Sequence, residues 1–168
     1  DKCYENQEKN YEYVETDHLG GHDPYSSSKA CAELVSSAYY RSFFKEMRVG
    51  LATARAGNVI GGGDWADDRL IPDAIKAWSE NKKLIIRNPK SVRPWQHVLE
   101  PLFGYILLAQ SLYLDPIKYS QAWNFGPDNK SCVAVEVAIV LAAEKWGEDA
   151  GWENISMDTA PHEAKLLQ

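Results

Sequence analysis

The sequence predicts an α/β fold with a parallel sheet, and three observations carry that expectation. Short apolar runs at 49–54, 83–87 and 122–125 lack a helical period and suit buried strands. Segments with apolar residues at helical spacing stand between and around them. Glycine and proline punctuate the boundaries, at Gly61-Gly62-Gly63, Asn88-Pro89 and Gly126-Pro127. Strands alternating with helices favour parallel pairing with crossover helices. Three or four visible strands are few for a doubly wound domain that folds by itself.

The elements follow in order. Residues 5–22 are polar and aromatic, close on Leu19-Gly20-Gly21, and read as a long loop. Asp23-Pro24 is a helix start, an N-cap acid followed by proline at the first helical position. The helix is expected from Pro24 to Phe44, with Ala30, Leu34, Val35 and Ala38 on its buried face. The strand Val49 to Ala54 feeds into Arg55-Ala56-Gly57-Asn58-Val59-Ile60 and then the triple-glycine turn. A second helix is expected over Leu70 to Asn81, with Pro72 in its first turn, followed by the strand Lys83 to Arg87. A helix from Pro101 to Leu114 carries Leu102, Tyr105, Ile106 and Ala109 at helical spacing. The strand Ala122 to Phe125 and the helix Val133 to Trp146 complete the pattern. The six tryptophans, Trp65, Trp95 and Trp123 among them, read as core residues rather than stacking platforms.

Composition narrows the function classes. A chain of 168 residues with 45% hydrophobic and 25% charged residues can bury a sizeable core. The net charge of −6 is spread along the chain, with no basic stripe for a nucleic acid partner. No apolar run has the length of a membrane span. Cys3, Cys31 and Cys132 form no Cys-x-x-Cys pair, so reduced thiols in the cytoplasm are expected. His18 and His22 have i, i+4 spacing, but Gly20 and Gly21 between them make a helix costly, so no metal is expected there. The chain opens on a polar segment without an initiator methionine and reads as a piece of something longer.

Tyr25-Ser26-Ser27-Ser28-Lys29 carries the strongest local chemistry. At i, i+4 on a helix, the phenol and the ammonium share a face. A cation that close stabilises a phenolate and equips the tyrosine as a base. The spacing alone is weak, since nine tyrosines and twelve lysines in this length produce such a pair by chance about 0.6 times. Its context is more specific: the pair opens a capped helix ahead of a buried strand that ends in Arg55-Ala56-Gly57-Asn58.

That order resembles the extended branch of the short-chain dehydrogenase/reductase family, in which Tyr-x-x-x-Lys is the catalytic pair. Further stretches resemble the family's nucleotide-sugar 4,6-dehydratases, and among these the CDP-glucose branch. They are Asp1-Lys2-Cys3-Tyr4-Glu5-Asn6, Gly21-His22-Asp23-Pro24, Ala54 to Trp65, Arg69-Leu70-Ile71-Pro72 and Ile86-Arg87-Asn88-Pro89. Arg93-Pro94-Trp95-Gln96-His97, Trp123 to Pro127 and Pro161-His162-Glu163-Ala164 extend the match over nearly the whole chain. The resemblance implies the C-terminal part of a Rossmann-type parallel sheet with helices, plus a smaller mixed α/β substrate-binding domain. Residues 1–60 would belong to the NAD-binding domain, 61–90 and 128–168 to the substrate domain, and 91–127 to a segment returning to the first.

The implied reaction is dehydration of CDP-glucose, with NAD as cofactor, Tyr25 as base at the C4 hydroxyl and Lys29 beside it on the nicotinamide ribose. The elimination needs an acid at O6 and a base at C5, which by resemblance fall on Asp1 and Lys2. A lysine base must be neutral, which burial and a neighbouring cation can arrange. Many relatives carry Glu where Lys2 stands, and this departure favours the CDP-glucose branch, although some UDP-sugar dehydratases also use Asp-Lys. Arg93 resembles the arginine that grips the diphosphate, Asn58 the asparagine beside it, and Arg69 with Leu70 the segment against the base. A homodimeric or homotetrameric parent and a role in deoxysugar supply for surface polysaccharide such as O-antigen are implied in the same way.

Gly61-Gly62-Gly63 is not a dinucleotide fingerprint, because it lacks the Gly-x-Gly-x-x-Gly order, and reads as a turn at the pocket rim. Without that fingerprint and most of the sheet, the isolated chain is expected to be inactive and poorly soluble. A nucleotide-sugar epimerase shares the Tyr-Lys pair and NAD but needs no acid–base pair at C5 and C6. A dehydratase for dTDP-glucose or UDP-N-acetylglucosamine would share the Tyr-Lys pair and NAD, and a non-catalytic binding module could keep the fold without the chemistry.

Overall fold

A computed structural model of the chain describes residues 2–7 and 11–155. Helix α1 (Pro24–Tyr39) starts where the cap chemistry demands. Asp23 is extended, its Oδ1 accepts from the Ser26 N–H at 3.0 Å, and Pro24 occupies the first helical position. The helix runs into one π-helical turn, Tyr40–Phe44, which agrees with the expected span.

The strands are short, and they form three small sheets. Strand β1 (Thr53–Ala56) pairs in parallel with β5 (Ala122–Phe125). Strand β2 (Asn58–Ile60) pairs in parallel with β4 (Val92–His97), whose other edge takes β6 (Cys132–Ala134) antiparallel. Strand β3 (Leu84–Ile86) pairs in parallel with β7 (Trp152–Asn154). Between them stand α2 (Leu70–Ser79), α3 (Leu99–Leu114), the single turn α4 (Pro116–Tyr119) and α5 (Val135–Trp146).

The described residues thus hold seven strands, more than the apolar runs show. Strand β4 is hidden in the sequence by Pro94, which lacks an N–H for a ladder. The structure places Pro94 at a change of partner: it is the last residue paired with β6, opposite Cys132, and pairing with β2 begins at Trp95. The first expected strand is also shifted, from Val49–Ala54 to Thr53–Ala56. Partner strand β5 reaches only that far, and the Leu51 N–H goes instead to the Ser120 hydroxyl at 2.9 Å.

The densest packing lies among α2, β3, α5 and β7. Ala74, Trp78, Leu84, Ile86 and Ile139 are buried together, and the Trp78 indole donates to the Gly151 carbonyl at 2.9 Å. Helix α2 stops in a Schellman motif. Asn81 takes the left-handed conformation at φ 55, while the Asn81 and Lys82 N–H groups return to the Trp78 and Ala77 carbonyls.

Two expectations about burial are corrected. On α1, Ala30 is buried with Ser26, but Leu34, Val35 and Ala38 are exposed. The face that meets the sheet is the one bearing Glu33, because that carboxylate binds β1; helical period alone does not choose between two apolar faces. Trp65 is 70% exposed, a surface residue rather than a core one, whereas Trp78 is buried at 3%. Trp95 and Trp123 are half-buried.

Candidate active site

A cleft of about 710 Å³ gathers segments that are distant in sequence. Lys2 and Tyr25 line it, with Asn58 at the start of β2, Arg69 and Leu70 at the start of α2, and Trp95 of β4. Five of the expected site residues therefore share one cavity. Tyr25, Asn58, Arg69 and Leu70 stand at the starts of elements and Lys2 in a turn, where side chains can project beyond the packed region.

Tyr25 is in the first turn of α1 and is 56% exposed. Two ammonium groups approach its ring, Lys29 Nζ at 5.4 Å and Lys2 Nζ at 5.8 Å from the centroid. Lys29 arrives there through helix geometry, one turn on from Tyr25. Lys2 arrives through tertiary structure: the Glu5 N–H donates to the His18 carbonyl and the Gly20 N–H to the Cys3 carbonyl, which folds the N-terminal stretch back beside α1. Lys2 itself is exposed, so burial, one of the two conditions expected for a lysine base, is not met here. Asp1 lies outside the described residues, as does Pro161-His162-Glu163-Ala164.

Of the described site residues, Lys29 and Arg93 stand outside the cleft wall. Lys29 meets the site through the Tyr25 ring. Arg93 is 5% exposed within β4, where its Nη1 donates to the Val92 carbonyl at 2.8 Å. Gly61-Gly62-Gly63 turns away from the wall, between the cleft residues Val59 and Asp64; Gly63 has φ 83.

A polar network of residues to which the motifs assign no role lies against the same cleft. Arg55 is 4% exposed, and its Nη2 donates to Glu33 Oε2 of α1 at 2.7 Å. Thr53 Oγ1 donates to the same oxygen at 2.7 Å. Arg55 Nη1 donates to the Tyr4 hydroxyl, which donates in turn to Asn124 Oδ1 of β5 at 2.8 Å. The guanidinium lies over the Tyr4 ring, 5.0 Å from its centroid, and Tyr4 stacks on Tyr13 at 5.1 Å. Burial works against the arginine charge, but the bonds to Glu33 and Tyr4 outweigh it and raise its affinity for the proton. Burial likewise opposes the Glu33 carboxylate, and the bonds from Arg55 and Thr53 overcome it, holding the group below its ordinary value. Burial pushes the Tyr4 phenol up. The available sequence signal is a polar residue at or inside an apolar run: Arg55 ends one, and Asn124 interrupts another.

Comparison with known proteins agrees with this architecture. The family model described as NAD dependent epimerase/dehydratase matches residues 1–119. Across its whole length the chain is 53% identical to the CDP-glucose 4,6-dehydratase of Salmonella typhimurium, of which it covers 48%. Among solved structures, 98% of the chain superposes on a UDP-glucuronic acid 4-epimerase from Bacillus cereus, with TM-score 0.78, 19% identity and 48% of that chain covered. A dTDP-glucose 4,6-dehydratase from Bacillus anthracis in complex with NAD gives TM-score 0.70 at 22% identity, over 98% of this chain and 48% of the other. The chain thus spans about half the length of these relatives, and the shared fold is the Rossmann-type α/β arrangement inferred from sequence. By its sequence match and by the fold that carries Tyr25 and Lys29, the chain belongs to the NAD dependent epimerase/dehydratase family.

Proposed function

We propose that the protein containing this chain is an NAD-dependent nucleotide-sugar 4,6-dehydratase that acts on CDP-glucose. The observation that carries this reading is Tyr25, exposed in the cleft, with the Lys29 and Lys2 ammonium groups 5.4 and 5.8 Å from its ring centroid. The 53% identity to a CDP-glucose 4,6-dehydratase supports the choice of substrate.

The residues fit the nicotinamide-ribose end of a dinucleotide, since Tyr25 and Lys29 stand together at the mouth of a helix. The sequence holds no Gly-x-Gly-x-x-Gly turn for the pyrophosphate, so that end is assigned to the rest of the protein. Tyr25 and Lys29 would hold the nicotinamide ribose, and the bound nicotinamide would supply a hydride acceptor for C4 and a hydride donor for C6 of the glucosyl unit. Tyr25 takes the C4 hydroxyl proton, which completes the 4-ketone and acidifies C5–H. Lys2, in its neutral form, takes the C5 proton as the C6–O bond breaks. Asp1 gives its proton to that oxygen, so water leaves. Return of a proton from Lys2 to C5 leaves the 4-keto-6-deoxy sugar, with water as the only other product.

Asn58, Arg69 and Leu70 are assigned to the nucleotide sugar because they line the same cleft. The assignment of Arg93 to the diphosphate rests on its sequence motif. We assign residues 1–60 to the NAD-binding domain, 61–90 and 128–168 to the substrate domain, and 91–127 to the return segment. The apolar cluster of α2, β3, α5 and β7 falls within the second group, which supports that division. No described helix is long and apolar enough to cross a membrane, and a cytoplasmic, oligomeric enzyme supplying a deoxysugar pathway fits this reading.

The test incubates the full-length protein with NAD and CDP-glucose, dTDP-glucose or UDP-N-acetylglucosamine, and assays for a 4-keto-6-deoxy sugar. Conversion of CDP-glucose, lost in Tyr25→Phe and in the double variant Asp1→Asn/Lys2→Met, is the expected result. An inverted C4 centre with no loss of water, unaffected by the double variant, would replace the dehydratase by an epimerase.

A further inference from the structure

We propose that Arg55 is a positioning residue that sets the angle at which α1 presents the Tyr25–Lys29 pair to the cleft, through Glu33, and the place of Lys2 beside that pair, through Tyr4. The proposal rests on the dehydratase reading for its catalytic consequence, though not for its geometry.

Tyr25, Lys29 and Glu33 stand at i, i+4 and i+8 and form one stripe along α1. The lowest member of the stripe is clamped to β1, since Glu33 Oε2 accepts from Arg55 Nη2 and from Thr53 Oγ1, both at 2.7 Å. Rotation of α1 about its axis would break that clamp, so the Arg55–Glu33 contact sets the angle at which Tyr25 and Lys29 face the cleft.

The second nitrogen of the same guanidinium serves the other lysine. Arg55 Nη1 donates to the Tyr4 hydroxyl, and Tyr4 is two residues from Lys2. Tyr4 is 3% exposed and is tied further by Asn124 and by the Tyr13 ring. Lys2, itself exposed, is followed by the buried Cys3 and Tyr4, and it inherits its place from that anchor, of which Arg55 holds Tyr4. The orientation of α1 and the place of the N-terminal stretch thus converge on one side chain, and that side chain is 4% exposed and lines the cleft.

The chemistry of arginine suits this task. A planar fork offers separate nitrogens to a carboxylate and a phenol at fixed angles. Lysine at the same place would keep the charge but offer one nitrogen for two partners. Arg55 Nε is buried without a hydrogen-bond partner, a cost that would be removed by an apolar side chain. A buried pair is often replaceable by apolar groups without loss of stability. Stability can therefore be separated from positioning by experiment.

The experiment uses the full-length protein as wild type, Arg55→Lys, and the double variant Glu33→Gln/Arg55→Met, which removes both buried charges. Three quantities are measured: thermal midpoint, kcat and KM for CDP-glucose across pH, and acetic-anhydride labelling of Lys2 and Lys29 relative to the exposed Lys45. The expected result for Arg55→Lys is a 10- to 100-fold loss of kcat, KM within threefold, a displaced pH profile and labelling of both lysines changed at least threefold. The double variant should regain a wild-type thermal midpoint while kcat and labelling stay perturbed. Wild-type labelling of either lysine in Arg55→Lys would overturn the proposal, as would recovery of kcat to within threefold in the double variant. If the wild type makes no keto sugar, the dehydratase reading falls, and the labelling still decides the positioning.

Discussion

Gly21→Ala tests whether the loop before α1 sets the place of Tyr25. A Cβ on Gly21 would stand 2.3 Å from Ser26 Cβ, and 2.7 Å from the Ser26 carbonyl carbon and the Ser27 nitrogen. Rotamer change relieves none of this, because two of the three atoms are backbone. Reaching the 3.4 Å at which ordinary contact begins asks the first turn of α1 to move by about 1.1 Å at Ser26 Cβ and about 0.7 Å at the two backbone atoms. The Ser27 hydroxyl, which donates to the Gly21 carbonyl at 3.0 Å, is strained by the same shift. Overpacking of this kind costs about 1–3 kcal/mol. The shift acts on the turn that carries Tyr25, and a misplacement of roughly 1 Å at reacting groups can cost about a hundredfold in rate. In the full-length protein, Gly21→Ala should therefore lower both the thermal midpoint and kcat, the latter by about 10- to 100-fold. Gly62→Ala is the control: no atom lies within 4 Å of its Cβ, and both quantities should stay near wild type. Wild-type kcat in Gly21→Ala would refute the link between loop and tyrosine.

Three further outcomes follow from the packing and the charges. Ile139→Ala empties a fully buried site in the α2–β3–α5–β7 cluster, and denaturant unfolding should show a loss of about 2–5 kcal/mol. Asp23→Ala removes the acceptor for the Ser26 N–H and hydroxyl, at 3.0 and 2.7 Å, and should cost about 1 kcal/mol in the same assay. Asp23→Asn, which keeps a capping oxygen, should recover most of it. Glu33 is held below its ordinary value near 4.5, so the unfolded chain binds its proton more readily than the folded one. Its contribution is fully present above pH 4.5 and is lost as pH falls through the lower folded value; the drop in thermal midpoint below pH 4.5 should be shallower in Glu33→Gln than in wild type.

Local chemistry was enough for much of the chain. Asp23-Pro24 located the start of α1 because a cap and a fixed φ act within four residues. The Tyr25–Lys29 pair followed from helix geometry, and the resemblance to the dehydratases was enough to assign the family. Short strands were less legible. Asn58–Ile60, Val92–His97, Cys132–Ala134 and Trp152–Asn154 owe their extended form to partners far away in sequence, and Pro94 argued locally against a strand that a change of partner permits.

By itself the sequence determined the spacing that puts Tyr25 and Lys29 on one helix face, the α/β class and the family, since each rests on residue type at short spacing or on many motifs in one order. Only the tertiary structure decided which face of α1 is buried, that Lys2 reaches the Tyr25 ring, and that Arg55 joins Glu33 to Tyr4. Each of these is a contact between segments tens of residues apart. The cost of burying a charge selects such contacts, through the one geometry that satisfies it, and no periodicity along the chain records that geometry.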